Sequence, residues 1–133
     1  MPPDALGSTR IGSTTYVFVP SEAGASTQFA TLYAQTGATL EVVRLGNEDF
    51  RVAFGGSVAH GNGARCDGET LVLLNAESSD GKTWTLSETR YSLEGPRATL
   101  ISEGVPHTIA DSSGAKVAPY YTITCDGVVS LSD

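Results

Sequence analysis

The sequence predicts an all-β fold: an antiparallel β-sandwich, jelly-roll or immunoglobulin-like, or a closed barrel, of about nine to eleven short strands. Three observations lead there. Apolar and polar residues alternate at period two in several short runs, as in half-buried strands. Turn dipeptides and glycine breaks interrupt the chain roughly every eight to twelve residues. No segment of helical period reaches useful length, and no fixed repeat suggests a propeller or solenoid. Composition agrees: only 17% of the 133 residues are charged, and Gly, Ser, Thr and Ala take up the difference, a mix suited to tight turns. A chain of this size buries a substantial core without needing a disulfide or a metal.

Residues 1–13, rich in Pro, Gly, Ser and Thr, read as an N-terminal arm, and 14–133 as one β-domain. Residues 14–19 (TTYVFV) form the first strong strand, closed by Pro20, and 20–26 are a loop. In 27–34 (TQFATLYA), Phe29 and Tyr33 stand at helical spacing, but Thr27, Thr31 and the following Thr36-Gly37 tip the segment to strand. Residues 39–45 (TLEVVRL) form a strand, and Gly46-Asn47-Glu48-Asp49 turns. In the next strand Phe50, Val52 and Phe54 face one way and Arg51 the other.

Residues 55–68 carry five glycines and read as a long irregular surface loop. Residues 70–75 (TLVLLN) are a continuous apolar run, a strand buried on both faces. Beyond the turn at Ser79-Asp80-Gly81-Lys82, residues 83–88 put Trp84 and Leu86 inward, with Tyr91 and Leu93 continuing that strand to Gly95-Pro96. Two shorter strands follow, 98–102 and 106–110, then the turn Asp111-Ser112-Ser113-Gly114. Residues 120–125 (YYTITC) are the last strong strand, with Tyr121, Ile123 and Cys125 on one face, and 128–131 form a short terminal strand.

The net charge is −7, and the 8 basic residues are scattered singly. No cluster could neutralise a row of phosphates, so nucleic acid and anionic membrane are excluded as partners. No apolar run approaches the roughly 18 residues of a membrane span, so no membrane insertion is expected. Met1-Pro2-Pro3-Asp4 has neither the basic region nor the apolar run of a signal peptide. The chain is then either made in the cytoplasm or begins after a removed signal.

Cys66-Asp67-Gly68 and Cys125-Asp126-Gly127 contain the only two cysteines. Read as a disulfide, the pair closes a loop of about 60 residues and places the protein in an extracellular, periplasmic or virion setting. The alternative is two reduced core thiols in the cytoplasm, where free Cys packs as a small hydrophobe.

His60 lies six residues before Cys66, but an activated thiol needs a fixed base, and a glycine segment does not supply one. His60 and His107 fit no compact metal-ligand spacing with the cysteines, so no metal and no cofactor are expected. The glycine segment lacks the Gly-Lys-Ser/Thr ending of a phosphate loop, and no Gly-X-Ser-X-Gly elbow occurs. The aromatic residues fall mostly at inward strand positions. As a long loop on a rigid scaffold, the segment is the candidate binding region, through Gly55, His60, Asn62 and Arg65.

The words Cys66-Asp67-Gly68-Glu69-Thr70-Leu71-Val72 and Asp80-Gly81-Lys82-Thr83-Trp84-Thr85-Leu86, with a closing Cys125, resemble the small periplasmic inhibitors of C-type lysozyme. The resemblance implies a β-barrel with one disulfide. That family's Ser-Gly-X-Arg/X-Tyr segment and Lys-Gly pair are missing here, so no inhibitory residue carries over.

With no catalytic constellation, the expected function is non-enzymatic. The first reading is a structural or assembly protein, such as a virion, phage or appendage component, acting through protein partners or self-association with the arm as a strap. The alternative is an exported, disulfide-stapled β-domain that binds a protein or small ligand.

Overall fold

The computed structural model describes residues 5–24 and 27–128. The strands are β1 (Gly7–Ile11), β2 (Thr14–Ala23), β3 (Thr27–Thr36), β4 (Thr39–Val42), β5 (Arg44–Leu45), β6 (Glu48–Asp49), β7 (Arg51–Ser57), β8 (His60–Asp67), β9 (Thr70–Ser78), β10 (Thr83–Glu94), β11 (Arg97–Glu103), β12 (His107–Ala110) and β13 (Ile123–Thr124), with one 3₁₀ turn at Ala118–Tyr121. The all-β prediction is correct. The 13 strands among the described residues make one mostly antiparallel sheet that does not close on itself, a sandwich-like arrangement.

The sheet folds over its own core. β1, β2, β3, β4 and the first half of β7 form one side; β8 to β12 form the other. β7 passes between them at Gly55, which pairs with Thr27 of β3 and Asn62 of β8. Its φ of 92° makes a corner that a side chain would resist. Tyr16, Phe18, Leu32, Val52 and Phe54 from the first side meet Ala64, Leu71, Leu93 and Ala98 from the second. The expected alternation of Phe50, Val52 and Phe54 holds: all three are in this core, while Arg51 lies outside over the ring of Phe29, 5.4 Å from its centroid.

A second, smaller core sits on the outer face of β9 and β10. Trp84 and Leu86 pack there with Ala76 and Val117, against Ile109, Tyr120 and Tyr121. Tyr91 and Leu93 belong instead to the main core. The β10–β9 register is unbroken from Trp84 to Ser92, so the switch from even to odd apolar positions marks opposite faces of one strand. Tyr91 and Leu93 continue the strand as expected, on the face opposite Trp84 and Leu86.

Other boundaries differ from expectation for physical reasons. Residues 7–11, expected within the arm, are β1, with Ile11 buried in the core; residues 1–4 of that arm lie outside the described residues. β2 runs on through Pro20 to Ala23 by a register shift between Pro20 and Glu22, an irregularity that tolerates a residue lacking an N–H. The expected 39–45 strand breaks at Val43, whose N–H donates to Leu32 and whose carbonyl accepts from Phe50. Between these two residues β5 and β6 project as a small hairpin, which raises the strand count. Val128 makes an isolated bridge to Gly7; residues 129–131 of the expected terminal strand lie outside the described residues. Among the described residues no helix is long and apolar enough to cross a membrane.

Candidate functional site

The segment 55–68 is not a surface loop. Gly55, Gly56 and Ser57 end β7, and His60, Gly61 and Asn62 begin β8 directly opposite them. Its glycines read as flexibility in the sequence, but in the fold they make room. A Cβ on Gly61 would sit 2.7 Å from the ring of Tyr121, and one on Gly63 would sit 2.5 Å from the carbonyl oxygen of Thr122. The chain after β12 therefore lies directly on β8. Ala64 donates its N–H to Thr122 at 3.0 Å, and the Tyr121 hydroxyl donates to the Ser57 carbonyl at 2.6 Å.

The same contact corrects the last predicted strand. A 3₁₀ turn covers residues 118–121, with Pro119 near its start, and only Ile123–Thr124 remains extended, in parallel with Ala64 and Arg65. Tyr120 and Tyr121 thus cover the second core instead of alternating across a sheet. Asp111 holds the chain that leads there. Its carboxylate accepts from the N–H groups of Gly114, Lys116 and Val117 and from the Ser113 hydroxyl. Burial pushes that carboxyl up, but the N–H donors outweigh it and hold it below the usual aspartate range.

The disulfide prediction is correct: Cys66 and Cys125 are bonded, with α-carbons 5.0 Å apart. Next to it Arg65 grips Glu88 through two hydrogen bonds of 3.0 and 3.2 Å, and Arg90 reaches Asp67 at 2.9 Å. The Arg65 hydrogen bond is the main reason that the Glu88 carboxyl lies below its usual range, against the opposing effect of burial.

The predicted binding residues therefore separate. Gly55 and Asn62 face each other, and His60 stands between Ser57 and Glu77. Arg65 differs from Asn62 by an odd number of strand positions and points to the opposite face, where Glu88 holds it. Asn62, Asn75 and Ser87 form one row across β8, β9 and β10. His107 is on β12, opposite Leu86, apart from His60. Among the described residues no group of three or more His, Cys, Asp or Glu is placed to hold a metal.

What the sequence reading passed over lies on the opposite flank. β11 pairs with β10 along its length, but with β5 only at Arg97 and Ala98. Among the described residues, 99–103 have no strand on their second edge. Leu100 and Ile101 on this edge are 47% and 52% exposed. Among the described residues β4 likewise pairs with β3 alone. Between β4, the β5–β6 hairpin and β11 lies an open cleft of about 920 Å³, with Val42, Leu45 and Leu100 among its apolar lining and Glu41, Arg44 and Arg97 as its charged lining. The sequence signal was there: Leu100 and Ile101 are adjacent apolar residues, so one of them must face away from any single core.

No protein-family model, curated protein or solved structure matches the chain. The resemblance to the lysozyme inhibitors gains no support from them.

Proposed function

We propose that this protein is a non-enzymatic structural or assembly component whose protein contacts run through the open flank at β11. One observation carries the reading: a strand edge with unpaired backbone groups and two exposed aliphatic side chains borders a cleft of about 920 Å³. Free edges of this kind pair readily with other chains, and natural proteins usually guard them. The test is the mass of the protein isolated under native conditions from its source. It should be recovered in a particle larger than one chain, and changing Leu100 and Ile101 together to Ser should return it to the mass of one chain. Recovery of the unaltered protein as a single chain in every preparation overturns the proposal.

The disulfide favours a second reading, an exported binding domain, because such bonds persist in oxidising compartments. Its ligand would meet the row Asn62, Asn75 and Ser87, whose side chains make no hydrogen bond among the described residues. A thiol assay under denaturing, non-reducing conditions on protein from its source should find no free thiol; two free thiols remove this reading.

A further inference from the structure

We infer that the Cys66–Cys125 disulfide is a redox latch: a dithiol reductant that opens it frees the strap 122–128 from its place between β8 and β1, while the rest of the sheet stays folded. The latch goes beyond the contacts proposed at β11 and does not depend on them.

The returning chain is anchored in two different ways. Up to Tyr121, side chains hold it. The Asp111 carboxylate fixes the turn after β12 through the N–H groups of Lys116 and Val117. The Tyr121 hydroxyl donates to the Ser57 carbonyl, and the Tyr121 ring meets Trp84 edge-on, with centroids 6.5 Å apart. From Thr122 onward the described backbone pairing is brief. The Thr122 carbonyl accepts from Ala64, Ile123 and Thr124 run beside Ala64 and Arg65, and Val128 makes an isolated bridge to Gly7. Between these points Cys125, Asp126 and Gly127 turn, closed by the Val128 N–H donating to the Cys125 carbonyl at 3.2 Å. The disulfide ties that turn to the end of β8. The covalent bond thus stands in the middle of the strap, between its two short backbone contacts.

Charge does not replace the bond. The residue after each cysteine is an aspartate. Asp67 is taken by Arg90 at 2.9 Å, and Asp126 makes no ion pair among the described residues. Opening the bond leaves two like charges on neighbouring turns, which disfavours the closed strap.

The bond is also within reach of a reagent. Both cysteines are half-buried, and both line a surface cleft of about 530 Å³. Arg10 lines it as well and offsets Asp126 for an incoming thiolate. That thiolate attacks one sulfur, the S–S bond breaks, and a mixed disulfide forms. The reductant's second thiol then displaces the protein sulfur. The reductant leaves as its own disulfide, having given up two electrons, and its two protons end on Cys66 and Cys125. A disulfide oxidant reverses the same steps.

Release leaves most of the sheet intact. β8 keeps β9 from His60 to Asp67, and β1 keeps β2 from Gly7 to Ile11. Ala64 and Arg65 lose β13 from their second edge, and an edge uncovered in this way is open to pairing. Ile123 and Val128, 5% and 8% exposed, draw the strap back when the bond re-forms.

Hydrogen exchange of the full chain, read by mass spectrometry before and after dithiothreitol in native buffer, tests the latch. Alkylation should then find both cysteines free without denaturant. Exchange across 122–128, and at Ala64, whose N–H is held by Thr122, should rise roughly tenfold or more. Protection across β9 and β10 should be unchanged, and oxidised glutathione should restore the strap. Changing both Cys66 and Cys125 to Ser should give the same exchange pattern with no reductant. Three results overturn the latch: a bond that dithiothreitol opens only in denaturant, a reduced protein whose strap stays protected, or a reduced protein that loses protection across the whole sheet. The last would make the bond a staple of the entire fold. None of them bears on the contacts proposed at β11.

Discussion

The two flanks of the sheet solve the same problem in opposite ways. On the β8 flank, the chain after β12 fills the space between β8 and β1. It lies against Gly61 and Gly63, adds β13 in parallel, is bonded through Cys125 and reaches Gly7 at Val128. On the β11 flank, β5 pairs with β11 only at Arg97 and Ala98, and a cleft of about 920 Å³ stays open. Edge groups are satisfied where a covering segment is fixed in place and stay available where none is. The contrast puts the closing contacts on one flank and leaves an open edge on the other, where the proposed protein contacts would run.

The contrast can be broken most sharply at the disulfide. Its sequence separation is 59, so changing both Cys66 and Cys125 to Ser should lower the unfolding free energy by about 4 kcal/mol in the loop-entropy account, measured by denaturant titration. A loss under about 1 kcal/mol would mean that β13 and the glycine contacts close the flank unaided. Next in size is Gly63→Ala. The atom it meets, the Thr122 carbonyl oxygen, is backbone and cannot rotate away, so about 2 to 3 kcal/mol should be lost. Gly46→Ala, at the tip of the open flank's hairpin, has φ +63° and no neighbour within 4 Å; it should cost about 1 kcal/mol, the backbone penalty alone. Equal losses at the two sites would erase the difference between the flanks.

Acid should act on the covered flank. Asp111 and Glu88 both titrate below their usual ranges in the fold, so as pH falls the unfolded chain takes up protons first. Their stabilisation is complete above about pH 5, past the ordinary carboxyl values, and is lost as pH falls through the lowered folded values. Thermal midpoints should therefore drop on acidification below about pH 4, and Asp111→Asn should flatten that drop. An unchanged acid profile in the variant would show that Asp111 does not anchor the covering segment. The smallest effect belongs to the open flank. Leu100→Ser, at a half-exposed site, should change dilute-solution stability by no more than about 0.5 kcal/mol; a larger loss would show that the cleft is part of the core.

Most strands were legible because their evidence is local. Val52 and Phe54 alternate with Arg51 whatever lies opposite them, and turn words such as Asp80-Gly81 break the chain by their own conformational preferences. The glycines of 55–68 were misread for a reason equally physical. A glycine that eases a turn and one that makes room for Tyr121 are the same letter, and only the neighbour tells them apart. Tyr120 and Tyr121 misled likewise: beside Ile123 they complete a strand pattern, but Pro119 and the second core draw them into a 3₁₀ turn. Arg65 was placed with Asn62 because the segment was read as a loop; in a strand, an odd spacing separates them onto opposite faces.

The sequence by itself determined the all-β class, the inward face of Phe50, Val52 and Phe54, and the low basic charge that disfavours phosphate-rich partners, since periodicity and charge are carried by each segment alone. It also offered a cysteine pairing without proving it. The tertiary structure decided which edges are covered. That outcome depends on where the chain returns after β12: it comes back over β8, with Cys125 beside Cys66, and among the described residues leaves 99–103 of β11 without a strand on their second edge. The two edges thus differ in exposure because one receives the returning chain and the other does not.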